Sequence, residues 1–147
     1  MQQSDFRFSC PLRVRWAEVD PQSIVFNGHY LNYADVGITE YFRALRQASD
    51  NPDILGSDFF AVRTVLDYQA PAMFDDLLDI HVRIARLGNS SLQFLLGIYR
   101  GQELLVRGEI VYVHADMATR RPQPIGAAFR DAILRYEATA PEDASRS

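Results

Sequence analysis

Lysine is absent from this 147-residue chain: all 15 basic side chains are arginine, set against 19 acids, for a formal net charge of -4. Phosphate backbones are held by concentrated basic faces, and no such concentration occurs here, which argues against nucleic acid as a partner. Cysteine is nearly absent. Cys10 stands alone, so no intrachain disulfide can form, and a reducing cytoplasm is the expected setting. Next to Pro11, with no histidine near it in sequence, Cys10 reads as a small apolar core residue and not as a nucleophile. No apolar run approaches the roughly 18 residues of a membrane span. The opening Met1-Gln2-Gln3-Ser4-Asp5 lacks the basic and apolar regions of a signal peptide. His29, His81 and His114 form no metal-ligand spacing, so no metal site is expected. P-loop, Rossmann and Gly-x-Ser-x-Gly patterns are all missing.

What remains is an ordinary globular composition, 48% hydrophobic and 23% charged, which fits one domain over residues 1–147. Leu12, Val14 and Trp16 alternate with arginines, the pattern of a half-buried strand. A loop from Glu18 to Phe26 follows, in which Pro21 biases Asp20 towards an extended backbone. Tyr30, Tyr33, Ala34, Gly37, Ile38, Tyr41, Phe42 and Leu45 then fall on one helical stripe, with Asn32, Asp35, Thr39, Arg43 and Arg46 largely off it. Asn27 is placed to cap this helix. Gly37 costs about 1 kcal/mol inside a helix, so its presence predicts close approach to a sheet. Asp50-Asn51-Pro52-Asp53 and Gly56 mark a loop.

Four strand-like runs come next: Phe60 to Tyr68, Leu78 to Ile84, Leu92 to Tyr99 and Leu104 to Val113. The connectors Gly88-Asn89-Ser90 and Arg100-Gly101-Gln102 are short enough for antiparallel hairpins. Thr119 to Gly126 is a proline-containing loop, Ala127 to Tyr136 a short helix, and residues 137–147 a frayed tail. About 17 helical residues at 1.5 Å each match about eight strand residues in length. The expected class is therefore α+β, one long helix wrapped by an antiparallel sheet. The apolar runs Leu92–Ile98 and Ile110–Val113 exceed what one helix covers, which points to a second subunit.

Asp20 is the leading chemical candidate. An Asp before proline is by itself a turn residue. Its place just ahead of a helix start adds a second reading, because the first free N–H groups of a helix favour negative charge. A thioester or ester carbonyl held there is polarised, and a nearby carboxylate can attack it or deprotonate a water. His29, in the first helical turn, can help polarise a substrate or simply bond locally. Glu18, Asp35 and Glu40 read as solvated acids, and the Gly88–Ser91 turn as a plain hairpin that only loosely resembles a phosphate cradle.

The stretch Asp20-Pro21-Gln22-Ser23-Ile24-Val25-Phe26-Asn27-Gly28-His29-Tyr30 resembles the active-site segment of the 4-hydroxybenzoyl-CoA thioesterase-like branch of the hotdog-fold superfamily. Tyr68-Gln69-Ala70-Pro71-Ala72-Met73-Phe74-Asp75-Asp76 and Arg86-Leu87-Gly88-Asn89-Ser90-Ser91-Leu92 resemble that family's next two patterns, in order. The similarity runs from Leu12 to Asp116 and implies the hotdog fold, with five strands, assembled as a homodimer or homotetramer. It implies hydrolysis of an acyl-CoA to free acid and coenzyme A, with no cofactor beyond the substrate's own coenzyme A. Asp20 would be the nucleophile or general base, and the backbone N–H groups of Asn27 and Gly28 would hold the thioester oxygen, with His29 beside them. Ile24, Val25, Arg63 and Thr64 would line the acyl pocket, and Arg86, Asn89 and Ser90 would meet the CoA phosphates, although only Arg86 is basic there. Two other functions compete: a non-catalytic acyl-CoA-binding protein, which would not need Asp20, and an enoyl-thioester hydratase. Relatives doing the latter place Asp and His about five residues apart, whereas Asp20 and His29 are nine apart.

Overall fold

In the computed structural model, which describes residues 1–50 and 58–144, the stripe from Tyr30 to Leu45 is one face of a 20-residue helix, α1 (His29–Ala48). Tyr30, Tyr33, Ala34, Gly37, Ile38, Tyr41 and Leu45 are buried, while Asn32, Asp35, Thr39, Arg43 and Arg46 are exposed. The loop read at Asp50–Asp53 and Gly56 falls, from residue 51 on, outside the described residues. Five antiparallel strands wrap the helix: β1 (Phe8–Arg13), β2 (Phe59–Tyr68), β3 (Leu77–Leu87), β4 (Ser91–Arg100) and β5 (Glu103–His114). Their order is β1-β3-β4-β5-β2, the hotdog arrangement. A second helix, α2 (Ala127–Tyr136), closes the far end, where the rings of Tyr41 and Tyr136 stack with centroids 5.6 Å apart.

Depth of burial is set at Gly37. A Cβ there would lie 2.6 Å from Cγ2 of Ile80 and 3.0 Å from Cγ2 of Val82, both on β3. The close approach read from the sequence is thus present, and the sheet's branched side chains make it.

Four expectations need correction. The Leu12–Trp16 alternation does not continue as one strand: β1 ends at Arg13, and residues Trp16–Glu18 form a 3-10 turn that leaves Trp16 73% exposed. Asn27 is not the cap of α1; Gly28 holds that position, with no side-chain hydrogen bond. The tail is not loose through residue 144. Glu137 is buried, its Oε2 accepting hydrogen bonds from the Tyr41 hydroxyl and, at 2.8 Å, from the Ile84 amide. A two-residue strand, β6 (Glu142–Asp143), then pairs in parallel with Arg86 and Leu87. Finally, part of the apolar surplus on β4 is covered from within the chain. Met1 reaches Gly97, and Phe6 and Tyr99 pack against the His81 ring at 5.6 Å and 5.0 Å.

Edge strand β2 behaves differently from the rest. The alternation expected from Phe60 to Tyr68 is broken, since the register with β5 shifts between Ala61 and Arg63. Phe60 and Val62 are 39% and 60% exposed, and among the described residues no strand pairs with the outer flank of β2.

Two outcomes are expected. Gly37→Ala gains about 1 kcal/mol of helix propensity but overpacks a buried contact, a fault that costs about 1–3 kcal/mol. The net expectation is a loss of about 1 kcal/mol, read as a lower urea midpoint at unchanged slope. For Glu137, burial raises the carboxyl above its ordinary value, against the lowering effect of its hydrogen bonds from Tyr41 and Ile84. A raised folded value means that its stabilisation is complete below the unfolded value and fades as pH rises through the folded one. Glu137→Gln keeps an acceptor for Tyr41 and Ile84 without the charge. Urea melts across pH 4 to 8 should therefore show the variant gaining on the parent as pH rises.

Candidate functional site

The segment leading into α1 is fastened by Glu18, which lies inside the fold at 5% exposure and is not the solvated acid its position in the sequence indicates. Its Oε1 accepts from the Arg15 amide at 2.8 Å and from the Tyr33 hydroxyl at 2.9 Å, while Oε2 accepts from Arg15 Nε at 3.0 Å. Burial by itself would raise this carboxyl; the donors from Arg15 and Tyr33 outweigh it and hold the group below the ordinary glutamate value. The same contacts raise Tyr33, first through burial and then through its bond to Glu18.

Residues 19–25 form a tight hairpin across a Val19–Val25 bridge. The Asp20 amide donates to Ile24 O at 2.9 Å, and Asp20 Oδ1 accepts from the Gln22 amide at 2.8 Å. Asp20 therefore does make the turn contact that its Asp-Pro dipeptide indicates. It is half-buried, and among the described residues its Oδ2 has no hydrogen-bond partner. The hairpin is tied sideways to the loop after β2 by a bridge from Ile24 to Met73 and by Val25 N donating to Ala72 O at 2.9 Å. The Phe26 amide returns to Glu18 O at 3.0 Å.

At the start of α1, the His29 amide donates to Phe26 O at 2.9 Å and the Tyr30 amide to Asn27 O at 3.4 Å. The Asn27 and Gly28 amides have no acceptor among the described residues. Two consecutive open donors thus stand at the positive end of a 20-residue helix.

Beside them lies a cavity of about 280 Å³ lined by Ile24, Val25, Asn27, Tyr30, Tyr68, Gln69, Ala70 and Pro71. Tyr30 is fixed there by accepting a 2.9 Å hydrogen bond from the Ala72 amide, and its ring meets Tyr68 at 5.5 Å. Two other cavities, of about 310 and 380 Å³, lie at the α1–α2 end and on the outer part of β2 and β5. They are somewhat larger, but neither contains a residue singled out from the sequence.

Of the residues singled out, Ile24, Val25 and Asn27 line the 280 Å³ cavity. Gly28 is next to it in the chain. His29 is half-buried with its ring 6.0 Å from that of Phe26, and neither it nor Asp20 is among the lining residues. Arg63 and Thr64 are exposed in the middle of β2, opposite Val111 and Ile110. Arg86, Asn89 and Ser90 stand at the β3–β4 hairpin. Its carbonyls are turned inward: Gly88 O accepts from Arg130 at 2.7 Å, Asn89 O from the Ile125 amide at 2.8 Å and Ser90 O from the His114 amide at 2.7 Å. The eleven residues of β3 separate this hairpin from the loop that ties down Ile24. At about 3.3 Å per residue, the two lie on the order of 30 Å apart within one protomer. Tyr30, Tyr68 and the Gln69–Pro71 turn were not singled out as site residues; the available signal was the proline turn following the end of a strand.

Residues 22–107 match the family model described as the thioesterase superfamily, beginning two residues after Asp20. The chain is similar to the acyl-CoA thioesterase YbgC of Haemophilus influenzae, with 25% identity over 130 residues, covering 85% of this chain and 96% of that protein. It is 28% identical to the acyl-CoA thioester hydrolase YbgC of Escherichia coli over 120 residues, covering 80% and 89%. Among solved structures, a thioesterase from Thermus thermophilus, complexed with coenzyme A and zinc, superposes with a TM-score of 0.79 at 28% identity, over 90% of this chain and 96% of that one. A Pseudomonas aeruginosa protein superposes with a TM-score of 0.77 at 26% identity, over 95% and 97%. The described residues of this chain hold no group of three His, Cys, Asp or Glu side chains placed to bind a metal ion.

The pre-helix loop has its own test. Glu18 is held below its unfolded value, so its stabilisation is present above that value and is lost as pH falls through the folded one. Glu18→Gln should lower the melting temperature at neutral pH, and the gap to the parent should close as acid protonates the parent's carboxylate. A constant gap from pH 7 to pH 3 would show that charge has no part in the loop's anchorage.

Proposed function

The chain belongs to the thioesterase superfamily, and from that premise we propose that it hydrolyses an acyl-CoA thioester to the free acid and coenzyme A. The observation that carries this reading is the pair of open amides at Asn27 and Gly28 beside a largely apolar cavity. An acyl group seated against Ile24, Val25, Tyr30 and Tyr68 can direct its carbonyl oxygen at those N–H groups. As the carbonyl carbon becomes tetrahedral, charge on that oxygen grows, and donors already aimed there stabilise it without reorganising. Asp20 supplies the other half, either by attacking the carbonyl carbon or by taking the proton of an attacking water. Oδ1 is occupied by the Gln22 amide, which fixes the carboxylate and leaves Oδ2 for the chemistry. Collapse of the tetrahedral species breaks the C–S bond and expels the CoA thiolate. On the general-base route the acid is then formed, and the proton held by Asp20 passes to the thiolate. On the nucleophilic route a mixed anhydride with Asp20 remains, which water hydrolyses to the free acid and the regenerated carboxylate.

The hairpin at Arg86, Asn89 and Ser90 can serve coenzyme A through the exposed Arg86 and Asn89 side chains, but not for the cavity of its own protomer, given the length of β3. A second copy paired antiparallel along the open edge of β2 reverses the strand direction. That places its hairpin at the end where the first protomer's cavity lies. The homodimer is thus part of the proposal.

One observation favours a second reading. Asp20 already has a structural task in its turn, which accounts for its presence even in a protein that only binds acyl-CoA and needs no catalytic carboxylate. Asp20→Asn separates the two. The enzyme reading expects kcat to fall at least about 100-fold, with acyl-CoA still bound, as measured with short aliphatic, long aliphatic and aromatic acyl-CoAs. Undiminished turnover in the variant removes Asp20 from the chemistry, and no turnover by the parent on any of the three favours binding alone.

A further inference from the structure

We propose that Tyr68 is a positioning residue for the Gly28 amide, holding that donor peptide in register through its carbonyl. The inference rests on the thioesterase reading above. The Tyr68 hydroxyl donates to Asn27 O at 3.3 Å, across 41 residues of sequence. Asn27 O and Gly28 N–H belong to one planar peptide unit and point to opposite sides of it. Fixing the carbonyl therefore fixes the direction of the amide. Tyr30 N also reaches this carbonyl, at 3.4 Å, but that bond belongs to the helix and moves with it. Tyr68 is the anchor from outside the helix: it comes from the end of β2 and ties the donor peptide to the sheet.

Tyr68 is itself oriented. Its ring lies 5.5 Å from that of Tyr30, and Tyr30 is held by the Ala72 amide. Both rings line the cavity with Asn27, so the group that aims the donor also walls the space where the acyl carbonyl must sit. A hydrogen bond donated to a peptide carbonyl also polarises the N–H on the far side of the same unit, which strengthens Gly28 as a donor. The tyrosine touches neither the reacting carbon nor the attacking oxygen; its effect passes through the peptide.

Tyr68→Phe in the full chain removes the hydroxyl and keeps the ring against Tyr30. The expected result is a kcat lower by about five- to tenfold, the scale of one neutral hydrogen bond. KM should stay within about twofold, as for an interaction felt mainly in the transition state, and the shape of the pH–rate profile should not change. The Gly28 amide resonance, followed by nitrogen-15 NMR without substrate, should shift. Unchanged kcat, or a rise in KM alone, would make Tyr68 only a pocket wall; a displaced pH profile would make it an acid–base group. Either outcome overturns the proposal, as does an unmoved Gly28 resonance. If the parent protein hydrolyses no acyl-CoA, the thioesterase reading fails, and Tyr68 is then judged on the Gly28 resonance alone.

Discussion

The contact of Gly37 with Ile80 and Val82 determines how deeply α1 lies in the sheet, and the positions of the loops follow from that depth. A helix seated this low buries three tyrosine hydroxyls on its inner face, and a buried phenol needs a polar partner. Each finds one in a different irregular segment. Tyr30 takes the Ala72 amide of the loop after β2, Tyr33 gives to Glu18 ahead of the helix, and Tyr41 gives to Glu137 at the start of the tail. The helix therefore does more than fill the interior. It fixes three connections that periodic hydrogen bonding cannot reach, and two of them border the candidate site.

That arrangement explains how an exposed hairpin can hold a chemical group in place. Residues 19–25 lie largely at the surface, yet the hairpin is tied at both ends. Glu18 holds one end to Tyr33, and the bridge from Ile24 to Met73, with the Val25–Ala72 hydrogen bond, holds the other to the sheet. Stabilising a developing oxyanion depends on donors that need not move when charge appears. In the proposed site the donors would be backbone groups at a helix start, and backbone groups are the least free to rotate away.

The sequence made the helix and hairpins legible because their signals are local. The Tyr30–Leu45 stripe is a matter of spacing along one segment. The Gly88–Ser90 and Arg100–Gln102 connectors carry their own turn chemistry, including Gly101 at a φ of 61°. Errors cluster where a side chain's partner is distant. Glu18 resembled a solvated acid because Tyr33 lies 15 positions away, and the tail looked loose because Glu137 meets Tyr41 from 96 positions away. In both cases the missed clue was a tyrosine on the buried stripe with no evident destination for its hydroxyl. Trp16 misled for another reason: its alternation with Val14 was real, but the Glu18 carboxylate captures the Arg15 amide and turns the chain before another strand residue can pair. Within the candidate site, Ile24, Val25 and Asn27 were readable because they sit in one segment, whereas the opposite wall, Tyr68 to Pro71, arrives through the fold.

On the proposed reading, the protomer holds only part of the site. Its cavity opens at the end of the sheet where β2 finishes, and β2 is an edge strand that has no partner on its outer side among the described residues and whose Phe60 and Val62 are exposed. An open edge carrying large apolar side chains is a hazard unless something covers it. A second copy in the antiparallel sense meets both needs with one contact, because the symmetry that covers the edge also exchanges the two ends of the sheet. Each protomer would then offer the acid and the open amides at one end and the Arg86–Ser90 hairpin at the other, and only the pair would bring the two halves to the same end. On this argument the separation along β3 of the Asp20–His29 segment from the Arg86–Ser90 hairpin is a geometric reason for assembly.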